Sequence, residues 1–396
     1  MEYNKIKSID KNKKTKCPVF KACGGCNWLD LSYEEQKKNK TAQMRKLLGP
    51  QIKVRDIIGM EEPFHYRNKV HGIIHRERSG KVISGIYREG THEVIPVSNC
   101  LIEDETASNI ISSIVKMTKS FKLVPYDEDT RRGFLRHILV RRGYNTKEVM
   151  VVLVTATAMF PSKNNFVKVL IKEHPEITTI VQNINDKKTS MVLGNRDNVL
   201  YGRGYIEDVL CDSVFRISPS SFYQINSLQT EKLYNKAIEL ADFKGNETII
   251  DAYCGIGTIG IIASSHVKEV IGVELNRDAI KDAIVNCKRN KVTNAKFING
   301  DASEFMNGMA AEKKHIDVVM MDPPRSGSTK IFMDAAAYLK PDKIVYISCD
   351  PVTLARDLKY FAQKGYKAKE VWPVDMFPQT EHIENVTLLT RNKVTK

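Results

Sequence analysis

A cysteine and a glutamate near the carboxyl end of the chain have the side-chain types and the setting for covalent chemistry. Cys349 follows an apolar run, residues 343–348, that is typical of a buried parallel strand. Glu384 lies 35 residues later and opens the next predicted strand, so it is expected near the same crevice at the strand ends. A thiol and a carboxylate in one crevice suit a reaction in which one group attacks and the other moves a proton. A single cysteine at a strand end is more often a small buried hydrophobe, so the assignment depends on the neighbouring motifs.

A glycine-rich turn lies earlier in the same half of the chain. Residues 248–260 place an acid at the end of a β-rich run, followed by Gly255, Gly257 and Gly260 in the spacing GxGxxG. Without side chains at these positions, the backbone can approach a bound nucleotide closely. Glu274 ends the next predicted strand, where a carboxylate can accept hydrogen bonds from both ribose hydroxyls of an adenosine. An NAD enzyme would share these features, so they predict an adenosine cofactor without choosing which one.

The ends of two further predicted strands narrow the choice of cofactor. Asp301 ends one of them and is expected to meet the adenine edge. The other, within residues 316–327, ends in Asp322-Pro-Pro-Arg325, a rigid loop directed into the crevice. Methyltransferases that act on amino groups commonly carry Asn or Asp, then two prolines and an aromatic residue that stacks on the target base. Here Arg325 replaces the aromatic residue and Cys349 ends the next strand, which favours S-adenosylmethionine and a thiol mechanism.

Six segments together resemble the RNA (uracil-C5)-methyltransferase family, whose members make 5-methyluridine with S-adenosylmethionine. Any one of them could arise by chance, but all six follow in family order, and the spacing from Cys349 to Glu384 is typical of the family. The segments are SFYQIN (221–226), DAYCGIG (251–257), GVE (272–274), DPPRSG (322–327), SCDP (348–351) and DMFPQTEHIE (375–384).

The resemblance implies a role for each of these residues. Cys349 attacks C6 of a target uracil as a thiolate, C5 takes the methyl group, and Glu384 removes the C5 proton. A free thiol has a pKa of roughly 8.5, so the electrostatics of the site are expected to lower the pKa of Cys349. Phe222 is expected either to stack on a base or to pack in the core. The implied cofactor contacts are Gln224, Tyr253, Glu274, Asp301 and Asp322.

Four cysteines in the first quarter of the chain have the composition of a metal site. Cys17, Cys23 and Cys26 have the spacing C-x5-C-x2-C, and Cys100 supplies a distant fourth thiol. Four thiolates suit either a zinc ion or an iron–sulfur cluster, and the residues alone leave both open. In the resembling family the branch with this spacing carries a [4Fe-4S] cluster, so the resemblance implies that cluster here. Disulfides are not expected, because nothing marks the chain as secreted.

Composition agrees with a polyanionic partner. The chain has 396 residues, 42% of them hydrophobic, which is enough for two or three domains. Its net charge is +14 and its pI is near 9.2, and neutralisation of phosphates dominates affinity for nucleic acids. The longest apolar run, residues 149–160, is too short for a membrane span and predicts a buried strand. We therefore expect a cytoplasmic protein with an RNA partner, no membrane and no obligate protein partner.

The pattern along the chain predicts three parts. Residues 1–16 form a flexible basic lead-in, too short for the amino-terminal RNA-binding β-barrel of many relatives, which is therefore expected to be absent. Residues 17–214 carry the cluster cysteines and an α+β central domain, in which residues 134–141 resemble a family segment expected to face RNA. Residues 215–396 alternate strand and helix, which predicts a doubly wound, Rossmann-like α/β methyltransferase sheet.

The resemblance favours 23S ribosomal RNA as the substrate, since the cluster-bearing branch acts mainly on large-subunit ribosomal RNA. A base must leave its stack to reach a buried site, so an exposed loop is the expected target. Three alternatives remain: a transfer-RNA uridine-C5 methyltransferase, a cytosine-C5 RNA methyltransferase and a non-catalytic RNA-binding protein. The Glu384 motif argues for uracil over cytosine, and the pairing of Cys349 with Glu384 argues against a protein that only binds.

Overall fold

This computed structural model describes residues 17–88 and 90–392, so the predicted lead-in over 1–16 lies outside the described residues. Two large sheets and one hairpin make up the β-structure. The strands are β1 Lys53–Val54, β2 Lys69–Arg76, β3 Val82–Tyr87, β4 Val94–Pro96, β5 Leu135–Arg142, β6 Val149–Thr155, β7 Ile177–Ile184, β8 Arg196–Tyr201, β9 Ile206–Leu210, β10 Ser213–Ile217, β11 Thr248–Ala252, β12 Glu269–Glu274, β13 Ala295–Asn299, β14 Val318–Met321, β15 Lys343–Ser348, β16 Tyr366–Val374 and β17 Glu384–Arg391.

Helices connect and cover these strands. They are α1 Phe20–Cys23, α2 Tyr33–Leu48, α3 Glu105–Met117, α4 Lys163–Glu173, α5 Ser227–Ala241, α6 Thr258–Ala263, α7 Arg277–Arg289, α8 Ala302–Ala311, α9 Lys330–Leu339 and α10 Pro351–Gln363, with a 3-10 turn at Ser264–His266. No helix in the described ranges is both long enough and apolar enough to cross a bilayer.

The larger sheet has the strand order β1-β16-β17-β15-β14-β11-β12-β13. Its strands from β15 to β13 run parallel, whereas β17 is antiparallel to both of its neighbours. Strands β14 and β15 are almost entirely buried, as expected for a sheet with helices on both faces. This mixed sheet confirms the Rossmann-like α/β methyltransferase fold. The strand order reverses between β11 and β14, which is where ligands bind in such sheets.

The second sheet has seven strands in the order β4-β3-β2-β5-β6-β7-β8 and is antiparallel except for the β6–β7 pair. Helix α4 connects these two parallel strands. All seven residues of β6 are buried, as predicted, but the strand ends at Thr155 and not at the end of the apolar run over 149–160. One face of this sheet packs against α3 and α4 in a core of its own, and the other face is turned toward the β9–β10 hairpin and the loop before α5.

An early segment of the chain belongs to the larger sheet. Strand β1 pairs in parallel with β16, and Met44 and Leu48 of helix α2 pack in the core beneath the larger sheet. Helix α2 begins with a capping box, in which the Ser32 hydroxyl accepts from the Glu35 amide and the Glu35 carboxylate accepts from the Ser32 amide. Residues 33–54 therefore contact the sheet formed by the last third of the chain.

Candidate active site

The glycine turn after β11 adopts the conformation that its sequence predicts. Tyr253, Gly255 and Gly257 all have positive φ angles, of 63°, 55° and 82°. A side chain at Gly257 would place its Cβ 2.8 Å from the ring of Phe297. The turn therefore needs glycine here both for its left-handed backbone and for close packing.

The acids at the ends of β12 and β13 lie beside this turn. The Glu274 carboxylate accepts from the Gly255 amide at 3.2 Å and from the Asn276 amide at 2.8 Å, which fixes its orientation at the end of β12. Asp301 caps helix α8 by accepting from the Ser303 amide at 2.8 Å. Both acids occupy strand ends as predicted, and their contacts to a cofactor stay predictions.

Asp251 is a buried acid to which the sequence analysis assigned no role. Its side chain is 1% exposed and accepts from the Gly260 amide at 2.8 Å, so it joins the end of β11 to the first turn of α6. Burial, with repulsion from nearby Asp322 and Glu274, raises the pKa of Asp251 to about 7. The acid at the end of the β-rich run, immediately before the glycine turn, was the signal for this role.

Gln224 and Tyr253 both lie near acids of the crevice. The Gln224 side chain hydrogen-bonds the phenol of Tyr234, a buried residue beside Asp322. The Tyr253 ring packs on Phe332 at 5.0 Å, and burial raises the pKa of its phenol to about 12. Two of the predicted cofactor residues therefore flank the switch point of the sheet.

Asp322 is a candidate partner for a cationic ligand. Its carboxylate has no hydrogen bond or ion pair to any residue that the structure describes, and burial raises its pKa to about 7. A carboxylate held in a crevice without a partner is costly unless a cation or a donor group joins it. The crevice thus fits a ligand that carries positive charge, as S-adenosylmethionine does.

The strand register brings Cys349 and Glu384 together. Ser348 of β15 pairs with Asn385 of β17. The strands are antiparallel, so Cys349, which follows Ser348, lies opposite Glu384, which precedes Asn385. Glu384 is 3% exposed, and burial, followed by repulsion from Asp322, raises its pKa to about 8. A carboxyl with this pKa is suited to exchange protons near neutral pH.

The expected lowering of the thiol pKa is not seen in this structure. Burial, followed by repulsion from the nearby carboxylates of Glu384 and Asp322, raises the pKa of Cys349 to about 12. The guanidinium of Arg325 opposes this rise in pKa but does not reverse it. The thiol is therefore protonated at neutral pH, and an added positive charge beside it would be needed to stabilise the thiolate.

Phe222 is exposed, which decides one of the open alternatives. Its side chain is 69% exposed in the loop between β10 and α5, so it does not pack in the core. An exposed aromatic ring next to a crevice offers a stacking surface for a base.

The four predicted cluster cysteines are neighbours without forming a metal site. Burial, followed by repulsion from Cys100 and Cys23, raises the pKa of Cys26 to about 12, so these thiols are close enough to influence one another. Cys26 and Cys100 also contact one small apolar cluster around Tyr66. Among the described residues, no three Cys, His, Asp or Glu side chains are close enough to hold a metal ion.

The fold and the crevice define a class. A glycine turn after β11, with Glu274 at the end of β12 and the switch point of the sheet beside them, is the architecture of enzymes that bind an adenosine cofactor. Asp322, which has no partner among the described residues, makes the cationic S-adenosylmethionine the cofactor that suits this crevice, and the class is that of S-adenosylmethionine-dependent methyltransferases.

Comparisons with known proteins identify the family. The profile of the tRNA (uracil-5-)-methyltransferase family matches residues 174–392. An RNA methyltransferase of Halalkalibacterium halodurans is 41% identical over 391 residues, covering 98% of this chain and 85% of that protein. An RNA methyltransferase of Staphylococcus aureus strain MW2 is 43% identical over 377 residues, covering 94% of this chain and 83% of that protein.

A solved structure matches the same length of chain. The tRNA (uracil-54, C5)-methyltransferase of Pyrococcus abyssi, in complex with S-adenosyl-L-homocysteine, superposes with a TM-score of 0.78 at 28% identity, covering 93% of this chain and 86% of that one. The chain belongs to the RNA (uracil-C5)-methyltransferase family and is an S-adenosylmethionine-dependent RNA methyltransferase.

Proposed function

We propose that this protein methylates C5 of a uridine in 23S ribosomal RNA through a covalent adduct between Cys349 and C6. The observation that carries the proposal is the register of β15 and β17, which sets the Cys349 thiol beside the buried Glu384 carboxyl. A thiol and a titratable carboxyl at one strand edge are the two groups that this chemistry requires.

Each residue has one step. The Cys349 thiolate attacks C6, and the electrons of the C5–C6 double bond make C5 a nucleophile. S-adenosylmethionine, when bound, supplies the methyl group and a positive charge at this edge of the sheet. The ionised Glu384 carboxylate then takes the proton from C5, the C5–C6 double bond re-forms, and the bond from sulfur to C6 breaks.

The cofactor would be held by Gln224, Tyr253, Glu274, Asp301 and Asp322. The unpaired Asp322 carboxylate suits the positive end of the ligand, and Glu274, fixed by two backbone amides, suits the ribose hydroxyls. The Gly255 turn between them leaves room for the adenosine because it carries no side chain at its closest approach.

Two variants test the covalent mechanism. Cys349→Ala should lose methylation and form no RNA adduct, while binding S-adenosylmethionine as the unmodified enzyme does. Glu384→Gln should stall after methyl transfer and accumulate a denaturation-stable protein–RNA complex that carries the labelled methyl group. General-base assistance contributes roughly 10²–10⁴-fold, so release from this variant should be slow. Substantial turnover by Cys349→Ala would exclude the mechanism, and a Glu384→Gln variant that forms no methylated adduct would limit Glu384 to positioning the base.

The substrate requires its own test. The cysteine spacing and the family resemblance favour ribosomal RNA, whereas the Pyrococcus abyssi neighbour acts on transfer RNA. Mass-spectrometric mapping of 5-methyluridine in both RNA classes, from cells with and without this protein, separates them. Loss of the modification from transfer RNA alone would reassign the substrate.

We also propose that Cys17, Cys23, Cys26 and Cys100 hold a [4Fe-4S] cluster. Support comes from their spacing and from the mutual repulsion by which Cys100 and Cys23 raise the pKa of Cys26. Protein purified without oxygen should contain about four iron atoms per chain. One zinc atom and no iron would assign a zinc site, and no metal would refute the proposal.

A further inference from the structure

Two like charges face each other on the central sheet. Lys69 of β2 and Arg141 of β5 are direct partners in the antiparallel register, so their side chains project from the same face. Like charges directly opposite each other destabilise a strand pair unless an opposite charge compensates them. Neither side chain forms an ion pair with a carboxylate of any residue that the structure describes.

Burial makes this arrangement costly. Arg141 is 4% exposed. Within the described chain its side chain forms one hydrogen bond, from Nη2 to the Ser221 carbonyl at 2.6 Å, and its Nε has no partner. Burial lowers the pKa of Arg141 to about 10. Burial, followed by repulsion from Arg141, lowers the pKa of Lys69 to about 8. A pair of partly desolvated cations without a counter-charge is what an anion would stabilise.

Two histidines extend the same face without adding an acid. His71 lies two residues after Lys69 on β2. The centroid of its ring is 4.9 Å from the ring centroid of His137 on β5. Burial lowers the pKa of His71 to about 4 and that of His137 to about 3, so both are neutral at physiological pH. His71 Nε2 and His137 Nδ1 are buried and lack hydrogen-bond partners within the described chain.

The cationic face adjoins the active-site loop. The Ser221 carbonyl that accepts from Arg141 precedes the exposed Phe222. Asn68, the neighbour of Lys69, donates to the Gln224 carbonyl at 3.1 Å. The like-charged pair therefore lies one hydrogen bond away from the loop that carries the exposed aromatic ring and a predicted cofactor contact.

We propose that Lys69 and Arg141 form a binding site for one phosphodiester of the RNA strand next to the target uridine. The inference rests on the proposed function and specifies how the substrate strand leaves the active site. A partly buried cationic pair near an exposed aromatic ring combines the two elements by which proteins hold single-stranded nucleic acid, namely phosphate neutralisation and base stacking. Lys69 makes the contact because it is partly exposed. Arg141 is buried next to it and adds positive electrostatic potential to the site.

A charge-removal pair tests the site. Lys69→Gln is compared with Lys172→Gln, which removes an exposed lysine from α4 on the opposite face of the same sheet. The probe is a fluorescent twelve-nucleotide oligouridylate, and its dissociation constant is measured by anisotropy at several salt concentrations. Lys69→Gln should bind about 5- to 20-fold more weakly, and its salt dependence should fall by about 0.7 in slope, the value for one phosphate on a single strand. Lys172→Gln should match the unmodified enzyme within about twofold, and Lys69→Arg should keep the slope.

Neutral linkages in the probe locate the contact. Oligouridylates with a single methylphosphonate at successive positions remove one phosphate charge at a time. The unmodified enzyme should lose affinity at one particular linkage relative to the target base, and Lys69→Gln should show no additional loss at that linkage. If the loss of affinity caused by each methylphosphonate were the same in Lys69→Gln as in the unmodified enzyme at every position, Lys69 would not contact any of these phosphates and the proposed site would be wrong.

The outcomes separate this inference from the proposed function. Binding of S-adenosylmethionine, measured by calorimetry, should be unchanged in Lys69→Gln and shows that the fold is intact. If the unmodified enzyme binds RNA and forms the Cys349 adduct but Lys69→Gln behaves like Lys172→Gln, the phosphate site is wrong and the proposed function stands. If the unmodified enzyme neither binds RNA nor forms an adduct, the proposed function fails and the phosphate site fails with it.

Discussion

Lys40 and Asp375 form an ion pair in which both side chains are fully buried, with Nζ 2.6 Å from Oδ1. Lys40 also donates to the Phe377 carbonyl at 3.2 Å. The pair joins helix α2 to the loop between β16 and β17. This loop leads directly to Glu384, the first residue of β17. Helix α2 thus holds the segment that delivers the candidate base to the site.

A second set of contacts reinforces the connection. Gln36 Nε2 donates to the Gln379 side chain at 2.8 Å, and the Gln379 amide donates back to Gln36 Oε1 at 2.9 Å. The Asn27 side chain, one residue after the last of the clustered cysteines, accepts from the Glu381 amide at 2.8 Å. The segment that follows the clustered cysteines therefore contacts the loop that leads to Glu384.

We expect Lys40→Met to be strongly destabilising. Removing the ammonium leaves Asp375 buried without its counter-charge, which typically costs about 3–5 kcal/mol in the free energy of unfolding. Urea denaturation measures the loss. Lys37→Met on the same helix is the control, because Lys37 pairs with Glu34 at the surface and should cost at most about 1 kcal/mol. Equal losses from the two variants would contradict the importance of the buried pair.

The rate of methylation should rise with pH between 6 and 9. The reacting forms are the Cys349 thiolate and the Glu384 carboxylate, and the structure raises the pKa of these groups to about 12 and about 8. Both groups are largely protonated at pH 6, so each higher pH unit increases the reactive fraction. Single-turnover rates at saturating RNA and S-adenosylmethionine measure the profile, with cofactor affinity determined at each pH because Asp322 titrates near 7. A flat profile would show that deprotonation of these groups does not limit the reaction.

Glu384→Gln should change how stability depends on pH. The folded-state pKa of Glu384, about 8, lies above the ordinary value near 4.3, so ionisation opposes folding and stability is lost as pH rises toward 8. The variant lacks this loss, so its free energy of unfolding relative to the unmodified protein should increase between pH 6 and pH 8, by on the order of 1 kcal/mol per pH unit. Urea denaturation at the two pH values measures the difference. Glu381→Gln, three residues earlier and exposed, should show no such change.

Gly257→Ala should destabilise the protein by more than the strain of a left-handed backbone alone. Its φ angle is 82°, and an added Cβ would also lie 2.8 Å from the Phe297 ring. Gly245→Ala is the matched control, because Gly245 has a φ of 92° and open space around it. Both variants should lose about 1–2 kcal/mol of stability from backbone strain, and Gly257→Ala should lose more from the clash. It should also weaken S-adenosylmethionine binding, as calorimetry would reveal, whereas Gly245→Ala should not.

Local pattern was enough to predict the methyltransferase half of the fold. The β-rich runs, the glycine spacing and the acids at strand ends are properties of a few consecutive residues, and an alternation of strand and helix permits few arrangements other than a parallel sheet. The expectation that Cys349 and Glu384 lie near each other depended on the same logic, because both were placed at ends of neighbouring strands. The β15–β17 register then set them at one edge of the sheet.

The tertiary structure alone decided which distant groups meet and which groups are removed from water. Nothing periodic relates Lys40 to Asp375 or Lys69 to Arg141, since these contacts join elements that are far apart in the chain. The pKa of the Cys349 thiol was predicted to fall but rises, because desolvation depends on everything packed around the group, and the sequence lists neighbours along the chain rather than in space.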